Sequence, residues 1–308
     1  MRDIHAPGMP GRRSVLLGMA GLASAALSGC MATARAHDEE VPAPEASNPV
    51  DPADPAPSRT APAQTPDIEP HRPTPPTKQQ IVAEFGSRQP REWGLQVTGT
   101  AGKSAARDIA LTLDACGGPG GTGCDQQLLG TLRKLNVPAT LFLNERWIQA
   151  NPALTAELAR DPLFELANHG FLHRPLSVNG KSAYGIAGTT DIGQVYDEVM
   201  GNQAILQDVT GHVPGFFRPG TAHCDDVAAA IARRLGVVPV SFSINGDGGA
   251  TFAPATVAAE VGKARSGDIV IAHVNKPGSG TAAGLAQALP RLLGQGATFA
   301  KLGAVLPA

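Results

Sequence analysis

Between about Gln96 and Ala308, short apolar runs alternate with longer amphipathic segments, and this alternation restricts the fold more than any other feature of the chain. The runs at 109–113, 139–143, 164–167, 215–217, 237–242 and 269–272 are too short for buried helices and lack a polar face. They read as strands of a parallel sheet covered on both sides. Helical patterns lie between them at 125–135, 191–209, 225–235, 254–264 and 281–293. Asp191 and Asp225 stand where N-caps belong, and Gly236 stands where the third helix should stop. Strand and helix in regular succession imply an α/β domain with a parallel sheet, open or closed into a barrel. The length from 96 to 308 is ample for one such domain and its core.

The polar residues that follow the strands are the candidates for chemistry. Asp114 follows the first run, Asn168 and His169 the third, Arg218 the fourth, Asp247 the fifth and His273 the sixth. Parallel α/β sheets assemble their sites at the C-terminal ends of strands, so these positions converge on one face. His169 and His173 are four residues apart, and on a helical turn both imidazoles would face one ion. Gly170 occupies the place where an H-E-x-x-H zinc motif has its glutamate, which excludes that motif.

The first third of the chain has a different character. Arg12-Arg13 precedes an apolar, small-residue segment at 15–27 that is short for a membrane span and reads as an export signal. The paired arginines suggest the twin-arginine route, with a general secretory signal as the alternative. Leu27-Ser28-Gly29-Cys30 resembles a lipoprotein box ending at Cys30, while Ala34-Arg35-Ala36 offers a competing A-x-A cleavage site. The expected organisation is therefore an export signal at 1–36, a linker at 37–95 and a catalytic domain at 96–308. The stretch from His37 to Pro90 holds 13 prolines among Ala, Asp, Glu, Thr and Ser, a composition with little to bury.

A net charge of −2 and the lack of a basic stripe argue against nucleic acid as a partner. Aromatic residues make up 4% of the chain, which leaves Trp147, Tyr184, Phe216 and Phe217 as the few side chains that could stack on a sugar. Setting Cys30 aside, Cys116, Cys124 and Cys224 remain; outside the cytoplasm, one disulfide and one free thiol are expected, with the pairing open.

Taken in order, these residues resemble the polysaccharide deacetylase family, the NodB-homology domain of carbohydrate esterase family 4. Thr112-Leu113-Asp114-Ala115 is similar to its T-F-D-D motif, His169 and His173 to its H-[ST]-x-x-H motif, and Arg218-Pro219-Gly220 to a shortened R-x-P-x-G. Asp247 corresponds to a later aspartate, Ile271-Ala272-His273 to L-x-H, and 299–302 falls near the closing strand. The resemblance covers about 109 to the C-terminus and implies an irregular (β/α)7 barrel. It further implies a divalent metal such as Zn²⁺ on His169 and His173, Asp114 as base, Arg218 beside it, and His273 as acid oriented by Asp247.

One departure bears on the metal. The family's second aspartate, a metal ligand, is Ala115 here. Three arrangements stay open: two histidines with water, Asp114 recruited as a ligand, or a site without catalysis. The implied activity is removal of N-acetyl groups from an N-acetylated polysaccharide of the envelope, such as peptidoglycan or exopolysaccharide, by a protein anchored to the membrane through Cys30. Two alternatives are a glycan-binding lipoprotein on the same fold and an amidase acting on non-sugar amides.

Overall fold

The computed structural model describes residues 74–307. The export signal, the lipoprotein box and most of the proline-rich stretch lie outside the described residues. Within them the strands are β1 (Trp93–Gly94), β2 (Ala110–Ala115), β3 (Ala139–Leu143), β4 (Phe164–Asn168), β5 (Phe216–Phe217), β6 (Cys224–Asp225), β7 (Val238–Pro239), β8 (Ile244–Asn245) and β9 (Ile269–His273). Seven of them form one curled parallel sheet in the order β7-β5-β4-β3-β2-β9-β8, a half-barrel in keeping with the irregular (β/α)7 barrel that the resemblance implies. β1 and β6 pair separately and antiparallel.

Alternation along the central strands sorts their side chains between two cores. Leu111, Leu113 and Ala115 of β2, with Leu141 and Leu143 of β3, join Leu128, Leu132, Trp147 and Leu285 from the surrounding helices. Ala110, Phe142, Ala167, Phe216 and Ile269 face the barrel interior. Both faces are therefore buried, and each fully buried Leu or Phe contributes roughly 1.5–3 kcal/mol over exposure. Thr112 and Asp114 share the inner face of β2 but sit progressively closer to its C-terminal end, where the apolar filling gives way to polar groups.

The helices follow the amphipathic pattern closely. Asp125, Asp191 and Asp225 each cap a helix by accepting a backbone N–H through the side chain. Three differences have local causes. The run at 237–242 pairs over only two residues before Val240 makes an isolated bridge to Ala101, and β8 follows it. The residues near the C-terminus form a bridge from Phe299 to Ile109 and then a short helix, Leu302–Val305, whose Leu302 and Val305 plug the inner core instead of adding a strand. The expected linker at 37–95 is also too long. Its last part forms the helix Lys78–Phe85, capped by a reciprocal Thr77–Gln80 box, with Ile81 and Phe85 buried against Val195, Val199 and Ile231. Among the described residues no helix is long and apolar enough to cross a membrane.

Candidate functional site

Register places the first two site residues. Asp114 on β2 and His273 at the end of β9 are Cα partners on adjacent parallel strands, so their side chains leave the sheet on the same face. Beneath Asp114 lies Arg218, immediately after β5 and fully buried. Its Nη1 donates to Asp114 Oδ1 at 2.7 Å and to Thr112 Oγ1 at 2.9 Å, while Nε and Nη2 donate to the carbonyls of Val240 and Ser241. The guanidinium also stacks 4.2 Å from the Phe142 ring centroid. Burial pushes the Asp114 carboxyl up, but the charges of Arg218, His169 and His273 outweigh it and hold the group below the ordinary carboxylate value.

His169 follows β4. Its Nδ1 bonds to the Arg218 carbonyl at 2.8 Å, which leaves Nε2 facing Asp114 Oδ2 at 3.6 Å and Cys116 Sγ at 3.7 Å. His173 completes the pair, with ring centroids 4.7 Å apart and planes nearly perpendicular. The histidines are not on a helical turn as expected. Residues 169–173 are a loop in which Gly170 (φ 79°) and His173 (φ 60°) adopt left-handed conformations. Three buried side chains pin this loop. Asn144 donates to the carbonyls of His169 and Gly170, Asn168 accepts from Gly170 N, and Glu198 accepts from the backbone of Leu172 and Arg174. A Cβ at Gly170 would collide with Glu198 Oε1, which accounts for glycine where the family pattern has Ser or Thr. A Cβ at Gly220 would likewise strike the His173 carbonyl, so the shortened arginine motif still packs under the loop.

Beside this group, on the neighbouring strand, stands the second dyad. His273 Nδ1 lies 2.9 Å from Asp247 Oδ1, and Asp247 Oδ2 accepts from His273 N and Thr281 Oγ1. Burial depresses His273, yet contact with Asp247 and Cys116 raises it well above the ordinary imidazole value. Asp114, His169, His173 and His273 line one cavity of about 480 Å³, and Arg218 and Asp247 support it from behind. The six residues singled out in the sequence are thus brought together. Of the aromatic candidates, Trp147, Phe216 and Phe217 are core, and only Tyr184, 79% exposed, reaches the rim of the cavity.

Residues 101–240 match the family model for polysaccharide deacetylase. The matched stretch is similar to polysaccharide deacetylases. A bifunctional xylanase/deacetylase of Pseudobutyrivibrio xylanivorans is 27% identical over 62% of this chain, which spans only 29% of that enzyme. The fold is similar to a carbohydrate esterase family 4 pseudoenzyme of Bacillus anthracis (TM-score 0.57, 19% identity, 69% of this chain and 70% of that one). A peptidoglycan N-acetylglucosamine deacetylase gives a TM-score of 0.56 at 21% identity, over 67% of this chain and 92% of the other.

The cavity contains one further residue that the sequence did not single out for chemistry. Cys116 lines the cavity, and one ligand-type atom from each of Cys116, His169 and His173 falls within 4.8 Å of the others. Burial pushes the Cys116 thiol up, but the imidazoles of His169, His173 and His273 prevail and hold it well below its ordinary value. The expected disulfide does not form: Cys116, Cys124 and Cys224 are all free. Burial pushes Cys124 up to about 11 and Cys224 up to about 12, so those two are inert by comparison. The signal for Cys116 was in the sequence. A strand repeats every two residues, so whatever Asp114 faces, Cys116 faces one step further on.

Proposed function

We propose that this protein is a Zn²⁺-dependent deacetylase that removes N-acetyl groups from an amino-sugar polysaccharide of the cell envelope. The observation that carries the reading is a base and an acid side by side in one cavity: Asp114 held by Arg218, and His273 held by Asp247. The donor set suits a divalent ion. His173 Nε2 is buried and makes no hydrogen bond, and such an atom calls for a partner that the protein does not supply. His169 and His173 would hold the ion, which when bound lowers the pKa of water and polarises a carbonyl.

The chain's own residues do the proton work. Asp114 stays ionised because Arg218 lies 2.7 Å away, and takes the proton of the attacking water through Oδ2. His273, cationic beside Asp247, gives a proton to the departing sugar nitrogen through Nε2, since its Nδ1 faces Asp247. Tyr184 and the Gly248-Gly249 turn border the cavity, where a glycan would lie. Export through the twin-arginine route and lipid anchoring at Cys30 would bring the domain to that substrate.

Acetate release from N-acetylated oligosaccharides by the full chain tests the reading. Release should require added Zn²⁺, stop on chelation and fall at least about 100-fold in His169→Ala. A folded protein that binds glycans without releasing acetate would instead support the binding-lipoprotein reading, which Ala115 favours because it removes a carboxylate ligand.

A further inference from the structure

We propose that Cys116 is the third protein ligand, so that the deacetylase site is a Cys–His–His centre and Asp114 is left free as base. This rests on the reading that His169 and His173 hold a divalent ion. The argument begins with strand alternation. Asp114 projects into the cavity, Ala115 turns outward into the helix-packed core at 0% exposure, and Cys116 returns to the cavity side. No rotation of Ala115 would bring its methyl to the ion position, whereas the next residue is already there.

Convergence and existing pairing favour the thiolate over the carboxylate. In a tetrahedral zinc site with Zn–S near 2.3 Å and Zn–N near 2.05 Å, sulfur and nitrogen stand about 3.6 Å apart. Cys116 Sγ and His169 Nε2 are 3.7 Å apart before any ion draws them together. Asp114 Oδ2 is also 3.6 Å from His169 Nε2. Its other oxygen, however, is bound to buried Arg218 at 2.7 Å, and among the described residues the converging set is Cys116, His169 and His173, without Asp114. The backbone at Cys116 is also fixed. Arg146 donates to its carbonyl, and the following Gly117 (φ 66°) packs so closely that a Cβ there would meet Trp147 N, so the main chain that carries the thiol is held in place.

Three protein ligands with an open fourth position is the usual form of a catalytic zinc site. A thiolate also shifts preference toward borderline-soft ions, Zn²⁺ and Co²⁺, and away from Mg²⁺ and Mn²⁺. The thiol loses its proton to solvent as the ion binds.

The test is the absorption spectrum of the full chain titrated with Co²⁺. The expected result is a near-ultraviolet thiolate-to-cobalt charge-transfer band that saturates at one ion, is absent in Cys116→Ser and is absent in Cys116→Asp despite retained cobalt. In the unmodified chain, Zn²⁺ should slow iodoacetamide labelling of Cys116 at least about 10-fold, a readout that holds even if the variants fold poorly. A band that persists in Cys116→Ser, or labelling of Cys116 that Zn²⁺ leaves unchanged, overturns the assignment. Acetate release without a thiolate band would sink the ligand and spare the deacetylase. A thiolate band without acetate release from any glycan would do the reverse.

Discussion

Arg218 shows how one residue can be structural and chemical together. A fully buried guanidinium is costly unless each donor is paired, and here the pairs are Asp114, Thr112 and two main-chain carbonyls. Arg218→Met would strand the Asp114 carboxylate in the interior, and we expect a loss of about 3–5 kcal/mol in urea unfolding. Asp114→Asn keeps an acceptor for Arg218 Nη1 and should cost at most about half as much, though it abolishes acetate release because an amide cannot take a proton. Equal shifts in the two unfolding midpoints would show that Arg218 is not held by that charge. At this scale the sequence was informative where chemistry follows a strand end, as for Asp114, Arg218 and His273. It was misleading where backbone conformation intervened. The four-residue spacing of His169 and His173 suggested a helical turn, but a left-handed Gly170 and the Glu198 carboxylate bring the rings together from a loop. Cys116 was passed over because motif matching stops at Ala115, while side-chain direction does not.

Elements were legible in proportion to their apolar periodicity. The core strands and the five long helices stand out because each buries a continuous face, and Asp caps mark three of the helix starts. The helix Lys78–Phe85 was hidden for the opposite reason: its mean composition is diluted by flanking prolines, and only Ile81 and Phe85 reach the core. These two side chains nonetheless fill the groove between the helices Ile192–Thr210 and Asp226–Arg234. The segment that follows adds the Trp93–Asp225 pairing and the bonds from Arg91 N and Glu92 N to Asp226. A chain beginning at residue 96 removes all of this and exposes Val195, Val199 and Ile231. Relative to a chain beginning at 74, it should lose on the order of 3–5 kcal/mol, from the values for deleting single large core side chains. Urea melts of the two lengths decide the point. Matching midpoints would return the segment to the status of a linker.

For the whole molecule the open matter is how the domain meets its substrate. From Cys30 to Thr77 the chain has 47 residues (77 − 30), a reach of at most about 160 Å at full extension. If Cys30 is anchored, that is enough to carry the domain well clear of a membrane. The three free thiols among the described residues would sit uneasily with an oxidising compartment, where unpaired cysteines tend to be oxidised. The tension eases if the protein folds before export: Cys224 is then buried, Cys124 is half-buried with its thiol pushed up to about 11, and Cys116 is masked by the ion it binds. A twin-arginine signal would provide that order of events, since the route carries folded cargo. The anchoring can be separated from the export by one substitution. If Cys30 is the lipidated first residue, Cys30→Ala should move the protein from the membrane to the soluble fraction, and mass spectrometry of the unmodified chain should find a lipid on Cys30. If cleavage instead follows Ala36, both forms will begin at His37 and fractionate alike. The domain would then act as a free enzyme, with the proline-rich stretch no longer a tether.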